Sequence, residues 1–348
     1  MFNRSIVSPA VIALLLVVMA GDGFCEANAP GKPADPFAVN KLIGRGVNMG
    51  NALEAPSEGE WGVTLKEEYF QSIKEAGFDS IRLPVRWNAH ALEQKPFTID
   101  PNFFARVDWA VNCALSRNLA VMLNIHHYDG LDSDPNGHRE RFCALWQQIA
   151  EHYKDKPNTL VFELMNEPQK NLRAEPWNAI LKDALSVVRK SNPNRTIVIG
   201  PVNWNQINYL DKLQIPEDDR NIIVTVHYYE PMKFTHQGAS WIADSNGWLG
   251  TKWLGSADEK LAITKAFDKA AEWGKKQNRP MHLGEFGAYG AEGKSDMESR
   301  ARWTKFIVDT VTQRGFSFSY WEFCSGFGLY DPVKKVWHEP LMKSIVSK

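Results

Sequence analysis

The chain has 348 residues, 44% of them hydrophobic, so it is long enough for one large domain or two small ones and too apolar to be disordered. Its 40 Lys and Arg residues nearly balance 41 Asp and Glu residues, which excludes the basic surplus typical of nucleic-acid-binding proteins. The same charge balance favours an uncharged or mixed-polarity substrate, and the 13 Trp residues, although core packing explains most of them, exceed what cores usually need and indicate flat stacking surfaces.

The first 27 residues have the organisation of a secretory signal peptide, with cleavage expected near residue 20 or 27. A positively charged start precedes an apolar run over residues 10–20, which is too short to span a membrane comfortably. No later run reaches the roughly 20 residues that a membrane helix needs. We therefore expect a secreted protein, extracellular or periplasmic, without a membrane span. Attachment through a lipid on Cys25 is the alternative.

Residues 28–38, rich in Pro, Ala and Gly, are expected to form a linker to a single catalytic domain over residues 39–348. In that domain β-like runs alternate with amphipathic stretches such as LKEEYFQSIKEAG, whose apolar residues recur at helical spacing. This alternation predicts an α/β fold with parallel strands, a single (β/α)8 TIM barrel with enlarged βα loops. The eight β-like runs cover residues 41–47, 80–85, 120–126, 160–166, 196–200, 222–228, 281–286 and 316–321.

The predicted strands have an apolar side and a polar side. In IRLPV, for example, the apolar residues share one parity and Arg82 has the other. Because helices cover the outside of such a barrel, the apolar parity should face the helices. Barrel interiors are usually filled by branched apolar residues, so a polar upper layer indicates a site. The side chains expected to point inward near the mouth are Arg82, His126, His227, Tyr229 and Trp321.

Two glutamates end predicted strands at the same mouth. Glu167 follows the fourth run in LVFELMNEPQ, and Glu285 closes the seventh run in MHLGEFGAYG, where glycines clear space around it. Cleavage of a glycosidic bond with retention needs an acid and an attacking carboxylate about 5–5.5 Å apart. We expect Glu167 to be the acid/base and Glu285 the nucleophile. Asn166 would hydrogen-bond the 2-hydroxyl of the sugar.

Other side chains should set the protonation states of the two glutamates. Arg82 and Tyr229 are expected near Glu285, where they would stabilise its ionised form, and His227 is expected near Glu167. The pH profile of such an enzyme should be bell-shaped and mildly acidic.

Three further carboxylates compete for a role. Glu163 has the parity of Glu167 but should lie deeper, where a buried charge must be paired, with Arg82 or His126 as candidate partners. Glu322 on the eighth run is a candidate for a substrate contact. Glu230 precedes a proline and is expected to be a loop residue.

The motifs IRLPVRW, NIHHYD, ELMNEP, VHYYEP, GEFG and YWEFCSG together resemble those of glycoside hydrolase family 5, and specifically its secreted bacterial endoglucanases. The similarity runs from about residue 41 to the C-terminus. The resemblance implies action on β-1,4-glucans, in a group where action on mannans also occurs. It also implies that Glu167 is the acid/base and Glu285 the nucleophile.

The same resemblance implies a set of contacts along a bound sugar chain. These are His126, His127, Asn51 and Glu54 on the non-reducing side, Trp321 stacked on the sugar at the cleavage site, and His236 and Trp241 on the leaving-group side.

Alternative functions and pairings remain open. A metal-dependent hydrolase is disfavoured because His126 and His127 should point to opposite faces of a strand and no HExxH spacing occurs. A carbohydrate-binding barrel without catalysis is disfavoured by the two glutamates, whereas a β-1,4-mannanase or another β-1,4-glycanase remains a real alternative. Cys113 and Cys143 could form a disulfide but are expected to be free thiols. We expect a monomeric, metal-independent and cofactor-free retaining endo-β-1,4-glucanase that acts on a β-linked polysaccharide or oligosaccharide.

Overall fold

Eight parallel strands close into a barrel in the computed structural model, which describes residues 35–346. Each strand pairs with the next in chain order, and the eighth returns to the first, where Tyr320 lies opposite Val47. The (β/α)8 barrel predicted from the sequence is therefore confirmed. Its strands are β1 Arg45–Asn48, β2 Ser80–Leu83, β3 Ala120–Asn124, β4 Leu160–Glu163, β5 Ile197–Ile199, β6 Ile222–His227, β7 Met281–Glu285 and β8 Ser317–Tyr320.

Helices alternate with these strands and supply the outer layer. A small antiparallel hairpin of β9 Tyr330–Asp331 and β10 Val336–Trp337 follows the barrel. The α-helices are α1 Pro36–Ile43, α2 Glu67–Glu75, α3 Pro101–Leu115, α4 Asp129–Ser133, α5 Pro135–His152, α6 Ala174–Ser191, α7 Met232–Thr235, α8 Ala257–Gln277, α9 Met297–Thr312 and α10 Glu339–Ile345. Short 3-10 helices cover Trp87–His90, Ile207–Lys212, Ser245–Trp248 and Ala291–Gly293.

The start of the domain differs from the prediction. Helix α1 occupies residues expected to be the end of the linker and the start of the first strand, and β1 begins only at Arg45. The side chain of Asp35 accepts a hydrogen bond from the Phe37 N–H, and Pro36 takes the first helical position, which together favour a helix start. The predicted signal peptide and the linker before Asp35 lie outside the described residues.

Helix α1 closes the amino-terminal end of the barrel. Asn40 donates from Nδ2 to the carbonyl of Met281 at 3.1 Å and accepts a 2.6 Å hydrogen bond from the Ser317 hydroxyl, at the first residues of β7 and β8. An apolar cluster separate from the main core joins the helix to the lower barrel interior. Its members are Val39, Ile43, Met122, Val161, Val198 and Ile223.

The inside of the barrel changes from apolar to polar towards its carboxyl end. Ile81 and Leu83 belong to the main core, which includes apolar side chains of the surrounding helices, as their parity predicted. Arg82, between them, is completely buried among polar side chains. The open, polar end of the barrel is therefore the carboxyl end of its strands.

The described cysteines are free, and this includes Cys113 and Cys143, so the expectation of unbridged thiols is confirmed. Over residues 35–346, no helix combines the length and the apolar character required to cross a membrane.

Candidate active site

The two predicted catalytic glutamates meet at the carboxyl end of the barrel. Glu285 is the last residue of β7, and Glu167 lies just beyond β4 with a left-handed φ of 46°. Three atoms lie within 4.8 Å of one another: a carboxylate oxygen of Glu167, a carboxylate oxygen of Glu285 and a ring nitrogen of His227. The side chain of Glu285 is 6% exposed and that of Glu167 is 21% exposed, so Glu167 is the more accessible of the two.

Arg82 links the floor of the site to Glu285. Its guanidinium donates to Glu285 Oε1 at 2.7 Å and forms a two-pronged ion pair with Glu163, at 2.6 and 2.9 Å. The predicted pairing of Glu163 with Arg82 is confirmed. Since Arg82 and Glu163 are both fully buried, they compensate each other's charge and hold the guanidinium rigidly beside Glu285.

Glu285 receives a second donor from the segment just after β6, because the Tyr229 hydroxyl donates to its Oε2 at 3.0 Å. Burial raises the pKa of Glu285, and the neighbouring His227 and Arg82 oppose this rise. Burial also raises the pKa of Tyr229 far above its usual value, so the phenol keeps its proton and can donate. The surroundings of Glu285 therefore favour an ionised carboxylate more than burial alone would allow.

Glu167 has a different environment. Its Oε1 lies 2.7 Å from Nδ1 of His227, as predicted, and no other side chain of the described residues is hydrogen-bonded to it. Burial raises the pKa of Glu167 to about 7, although the charge of Arg82 opposes the rise. Burial lowers the pKa of His227 to about 4, so the imidazole is neutral at neutral pH. Glu167 can therefore carry a proton under conditions in which ordinary glutamates are ionised.

Aromatic and imidazole rings line one flank of the two glutamates. The rings of His126 and Trp321 are stacked, with centroids 5.5 Å apart, and Nε2 of His126 lies 3.8 Å from Glu285 Oε1. The rings of His126 and His127 touch edge to face at 4.6 Å. The prediction that these two histidines point to opposite faces was wrong, because β3 ends at Asn124 and strand alternation no longer applies beyond it.

A second aromatic group contains the residues predicted for the leaving-group side. His236 packs edge to face against Tyr229 at 4.9 Å and against Trp241 at 6.3 Å. Trp241 is 59% exposed and packs against Tyr289 at 5.0 Å, so its ring offers a face to solvent. Such a surface suits the apolar faces of sugar rings.

The two predicted asparagines lie beside these groups. Oδ1 of Asn166 accepts a 2.7 Å hydrogen bond from Arg82, which fixes the side chain next to Glu167. Asn51 is half-buried, and its backbone N–H is held by the carboxylate of Glu54.

The structure does not support sugar contacts for Glu54 and Glu322. Both are completely buried. Glu54 accepts from the backbone N–H groups of Asn51 and Ala52, and Glu322 accepts from those of Cys324, Ser325 and Phe327. These carboxylates fold back onto their own loops and shape the rim of the site, which corrects the expectation that they contact substrate.

Sequence reasoning missed two residues of the site. Asn48, the last residue of β1, accepts from Arg82 at 2.8 Å and donates to the Gly284 carbonyl at 3.0 Å. Its strand-end position was the available signal. Trp61, 38% exposed, packs edge to face on His127 at 5.6 Å. The long loop before α2 places Trp61 beside His127, and no local sequence pattern predicts this position.

Glu167, His227 and Glu285 could together supply three ligands to a metal ion. The guanidinium of Arg82 already lies 2.7 Å from Glu285, and a positive charge so close disfavours the binding of a further cation. The arrangement fits proton transfer and nucleophilic attack better than metal binding.

The chain matches the family model for cellulase (glycosyl hydrolase family 5) over residues 39–326. The chain belongs to glycoside hydrolase family 5. This confirms the membership predicted from its motifs.

Known structures of family 5 are closely similar to this chain. The endoglucanase Cel5A of the hyperthermophilic Thermotoga maritima is 51% identical and superposes with a TM-score of 0.88, covering 90% of this family 5 chain and 100% of its own. A structure of Cel5A in complex with mannotriose superposes with a TM-score of 0.87, with the same identity and the same coverage.

A curated relative, Endoglucanase H of Acetivibrio thermocellus, is 40% identical over 291 residues. The match covers 84% of this family 5 chain but only 31% of the relative's length. The chain therefore corresponds to part of a much longer protein in that case.

Proposed function

We propose that the protein is a retaining endo-β-1,4-glucanase that hydrolyses internal bonds of cellulose, β-glucan or a related polysaccharide. The observation that carries this proposal is the pair Glu167 and Glu285, whose nearest oxygens lie within 4.8 Å in unlike surroundings. This closeness fits the separation of about 5–5.5 Å found in retaining enzymes and leaves too little room for the water that inverting enzymes place between the two.

In the first step, an oxygen of Glu285 attacks the anomeric carbon while the bond to the leaving sugar breaks. Glu167 gives its proton to the departing oxygen and becomes ionised. The product is a sugar ester of Glu285. The donors Arg82 and Tyr229 hold Glu285 in the ionised, correctly oriented form before attack.

In the second step, a water molecule gives a proton to Glu167 and its oxygen attacks the anomeric carbon. The ester bond breaks, and Glu285 leaves as a carboxylate. Two inversions give overall retention of configuration. Trp321 would stack on the sugar at the cleavage site, and Asn166 would contact its 2-hydroxyl.

The remaining predicted residues would bind the sugar chain on either side of the cleaved bond. His126, His127 and Asn51 would serve the non-reducing side, and His236 and Trp241 the leaving-group side. Their support is the grouping of rings around the two glutamates.

A β-1,4-mannanase or glucomannanase is the second candidate. It is favoured by one observation, the complex of the 51% identical Cel5A with mannotriose. Fold similarity does not decide between glucose and mannose units, which differ only at C2. Both candidates use the same two glutamates.

Substrate class and chemistry can be tested together. We would compare kcat/KM on carboxymethylcellulose, barley β-glucan, glucomannan, galactomannan and xylan for the wild type and for Glu167→Gln and Glu285→Gln. Each substitution should reduce kcat/KM on the preferred polymer about 100-fold or more. Proton NMR of the first product should show the β-anomer.

Glu230→Gln is the matched control, because Glu230 is an exposed loop glutamate that follows β6 and its carboxylate accepts a hydrogen bond from the backbone of its own loop, at Met232. Its kcat/KM should equal that of the wild type. Initial release of the α-anomer, or full activity in Glu285→Gln, would overturn the retaining mechanism. Loss of activity on exhaustive chelation would favour a metal-dependent hydrolase instead.

We further propose secretion, supported by the signal-like sequence of the first 27 residues. Amino-terminal sequencing of protein recovered from the culture medium or periplasm would locate the cleavage site. An intact Met1 on the mature protein would refute this proposal.

A further inference from the structure

An unusual turn follows β5. Asn203, Trp204 and Asn205 are consecutive and all left-handed, with φ of 60°, 60° and 55°. Side-chain-bearing residues rarely adopt this conformation even singly, and a bulky residue such as Trp does so at a cost. Strained backbone of this kind persists where the surrounding structure holds it and is concentrated at functional sites.

The turn places one buried amide against the histidine of the active site. Asn205 is completely buried, and its Nδ2 lies 3.2 Å from Nε2 of His227. Its Oδ1 has no hydrogen-bond partner among residues 35–346. A buried, unpaired amide oxygen lowers stability, so folding alone does not explain why an asparagine occupies this position.

Two further features hold the turn in place. A side chain at Gly200 would overlap the amide of Asn205, so glycine is required for the amide to sit where it does. The N–H of Trp204 donates to the carbonyl of Pro168 at 3.4 Å, next to Glu167 in the chain. The turn therefore contacts the loop of Glu167 as well as the ring of His227.

We propose that Asn205 is a positioning residue for the acid/base: by donating to Nε2 of His227, it keeps the imidazole proton on Nδ1, which then donates to Glu167. This inference rests on the proposed role of Glu167. Asn205 itself touches neither substrate nor reacting atoms.

The tautomer matters because Glu167 must release a proton in the first step and regain one in the second. A donor at Nδ1 stabilises the ionised Glu167 formed when the proton leaves. With the proton on Nε2 instead, Nδ1 would accept a hydrogen bond from protonated Glu167 and hold its proton back. Loss of Asn205 should therefore raise the pKa of Glu167 and slow protonation of the leaving group.

Other charged or titratable groups face this pair from neighbouring elements and remain in place when Asn205 is changed. They are Arg82 on β2, His126 after β3, Asp132 on α4, Glu163 on β4, Tyr229 after β6, and His282 and Glu285 on β7. A shift confined to the Asn205 variants would therefore report on the contact between Asn205 and His227.

The wild-type protein offers a direct test. Nitrogen-15 NMR of the full chain, with His227 assigned by its loss in His227→Gln, distinguishes the two neutral tautomers. We expect the proton on Nδ1. A proton on Nε2 would overturn the proposal whatever the behaviour of any variant.

The second test compares Asn205→Gly with Asn203→Gly. Glycine tolerates the left-handed backbone at both positions, so the substitutions differ in the side chain removed. The Asn203 side chain donates to that of Gln206 and makes no hydrogen bond to His227 within the described residues, so Asn203 is the matched control. In Asn205→Gly the alkaline limb of the profile of kcat/KM against pH should move to higher pH, by about half a pH unit to one pH unit. In Asn203→Gly it should not move.

Leaving groups separate this role from a structural one. For cellotetraose, the kcat/KM of Asn205→Gly should be about tenfold lower than that of the wild type. For 2,4-dinitrophenyl β-cellobioside, whose leaving group needs no proton, the two kcat/KM values should agree within about twofold. Equal losses on both substrates, or an unmoved alkaline limb in a folded variant, would overturn the proposal. If the wild type cleaved no polysaccharide or aryl cellobioside, the proposed function itself would fail.

Discussion

Arg82 shows how a single buried cation can serve two purposes. It neutralises Glu163 beneath the site, and with its remaining donors it holds Glu285, Asn166 and Asn48. A lysine could not replace it, because an ammonium group lacks the planar fork that reaches several acceptors at once. The difference between the two glutamates proposed to be catalytic begins with this geometry, since Arg82 bonds Glu285 directly and reaches Glu167 only through space.

We expect a bell-shaped dependence of kcat/KM on pH, with its alkaline limb near pH 7. Glu167 must be protonated to act as an acid, and burial raises its pKa to about 7, so activity should fall as pH rises through that value. Glu285 must be ionised, so activity should also fall as pH decreases through its pKa. The measurement is kcat/KM on a soluble β-glucan between pH 4 and 9. Activity that keeps rising above pH 8 would contradict the assignment of Glu167.

At this scale the sequence predicted Glu167 and Glu285 correctly as neighbours because both end parallel strands, and such ends meet at one edge. It failed for Glu54 and Glu322, which also follow strands. Whether a carboxylate faces a cleft or caps its own loop depends on the path of that loop, and neighbouring residues do not specify it. Asn205 was missed for the same reason, because no pattern in the sequence PVNWNQ predicts a left-handed turn.

Among the elements, the strands were the easiest to predict. Buried parallel strands read as short apolar runs, and each of the eight predicted runs overlaps a strand. Helix α1 was missed because it is one of the shorter helices, with 8 residues, and because its apolar end continues into the first strand through KLIGRGV. Its stability comes from contacts with β7 and β8, which lie far along the chain.

Replacing Asn40 in α1 by Ala should destabilise the protein by about 1–3 kcal/mol without changing kcat. The substitution leaves the Met281 carbonyl and the Ser317 hydroxyl with a lost partner at the closed end of the barrel, remote from the glutamates. Urea unfolding and steady-state kinetics check the two halves of this expectation. Lys41→Ala, at an exposed position of the same helix, is the control and should change neither. A tenfold fall in kcat for Asn40→Ala would show coupling between the two ends.

For the molecule as a whole, buried ionisable groups make stability depend on pH in two opposing ways. Burial raises the pKa of several carboxyls, whose stabilising contribution is complete below about pH 4.5 and is lost as pH rises through the folded value. Burial lowers the pKa of several histidines, whose contribution is complete above about pH 6.5 and is lost as pH falls. The carboxyls are Glu54, at about 8, and Asp132, Glu167 and Glu322, at about 7; the histidines are His127, His227 and His236, at about 4, together with His126 and His282, whose pKa values burial holds well below 6.5.

The melting temperature should therefore be highest near pH 6 and fall towards both pH 4 and pH 8.5. Between about pH 4.5 and 6.5 the two effects oppose each other, and above that range only the carboxyls still titrate. Scanning calorimetry at constant ionic strength would measure this. In Glu54→Gln, which removes the group with the pKa of about 8, the decline on the alkaline side should be shallower. A melting temperature still increasing at pH 8.5 would contradict the expectation.

The closure of the barrel by α1 has a consequence for how the chain is assembled. The hydrogen-bonding partners of Asn40 lie 241 and 277 positions later in the sequence. A polypeptide that emerges amino terminus first therefore leaves Asn40 without these partners until nearly all of it has been synthesised or exported, and leaves Val39 and Ile43 without full cover until β6, which carries Ile223, has followed. The first helix of the described chain is thus among the last to acquire all its contacts, and until then its apolar side is open to chaperones.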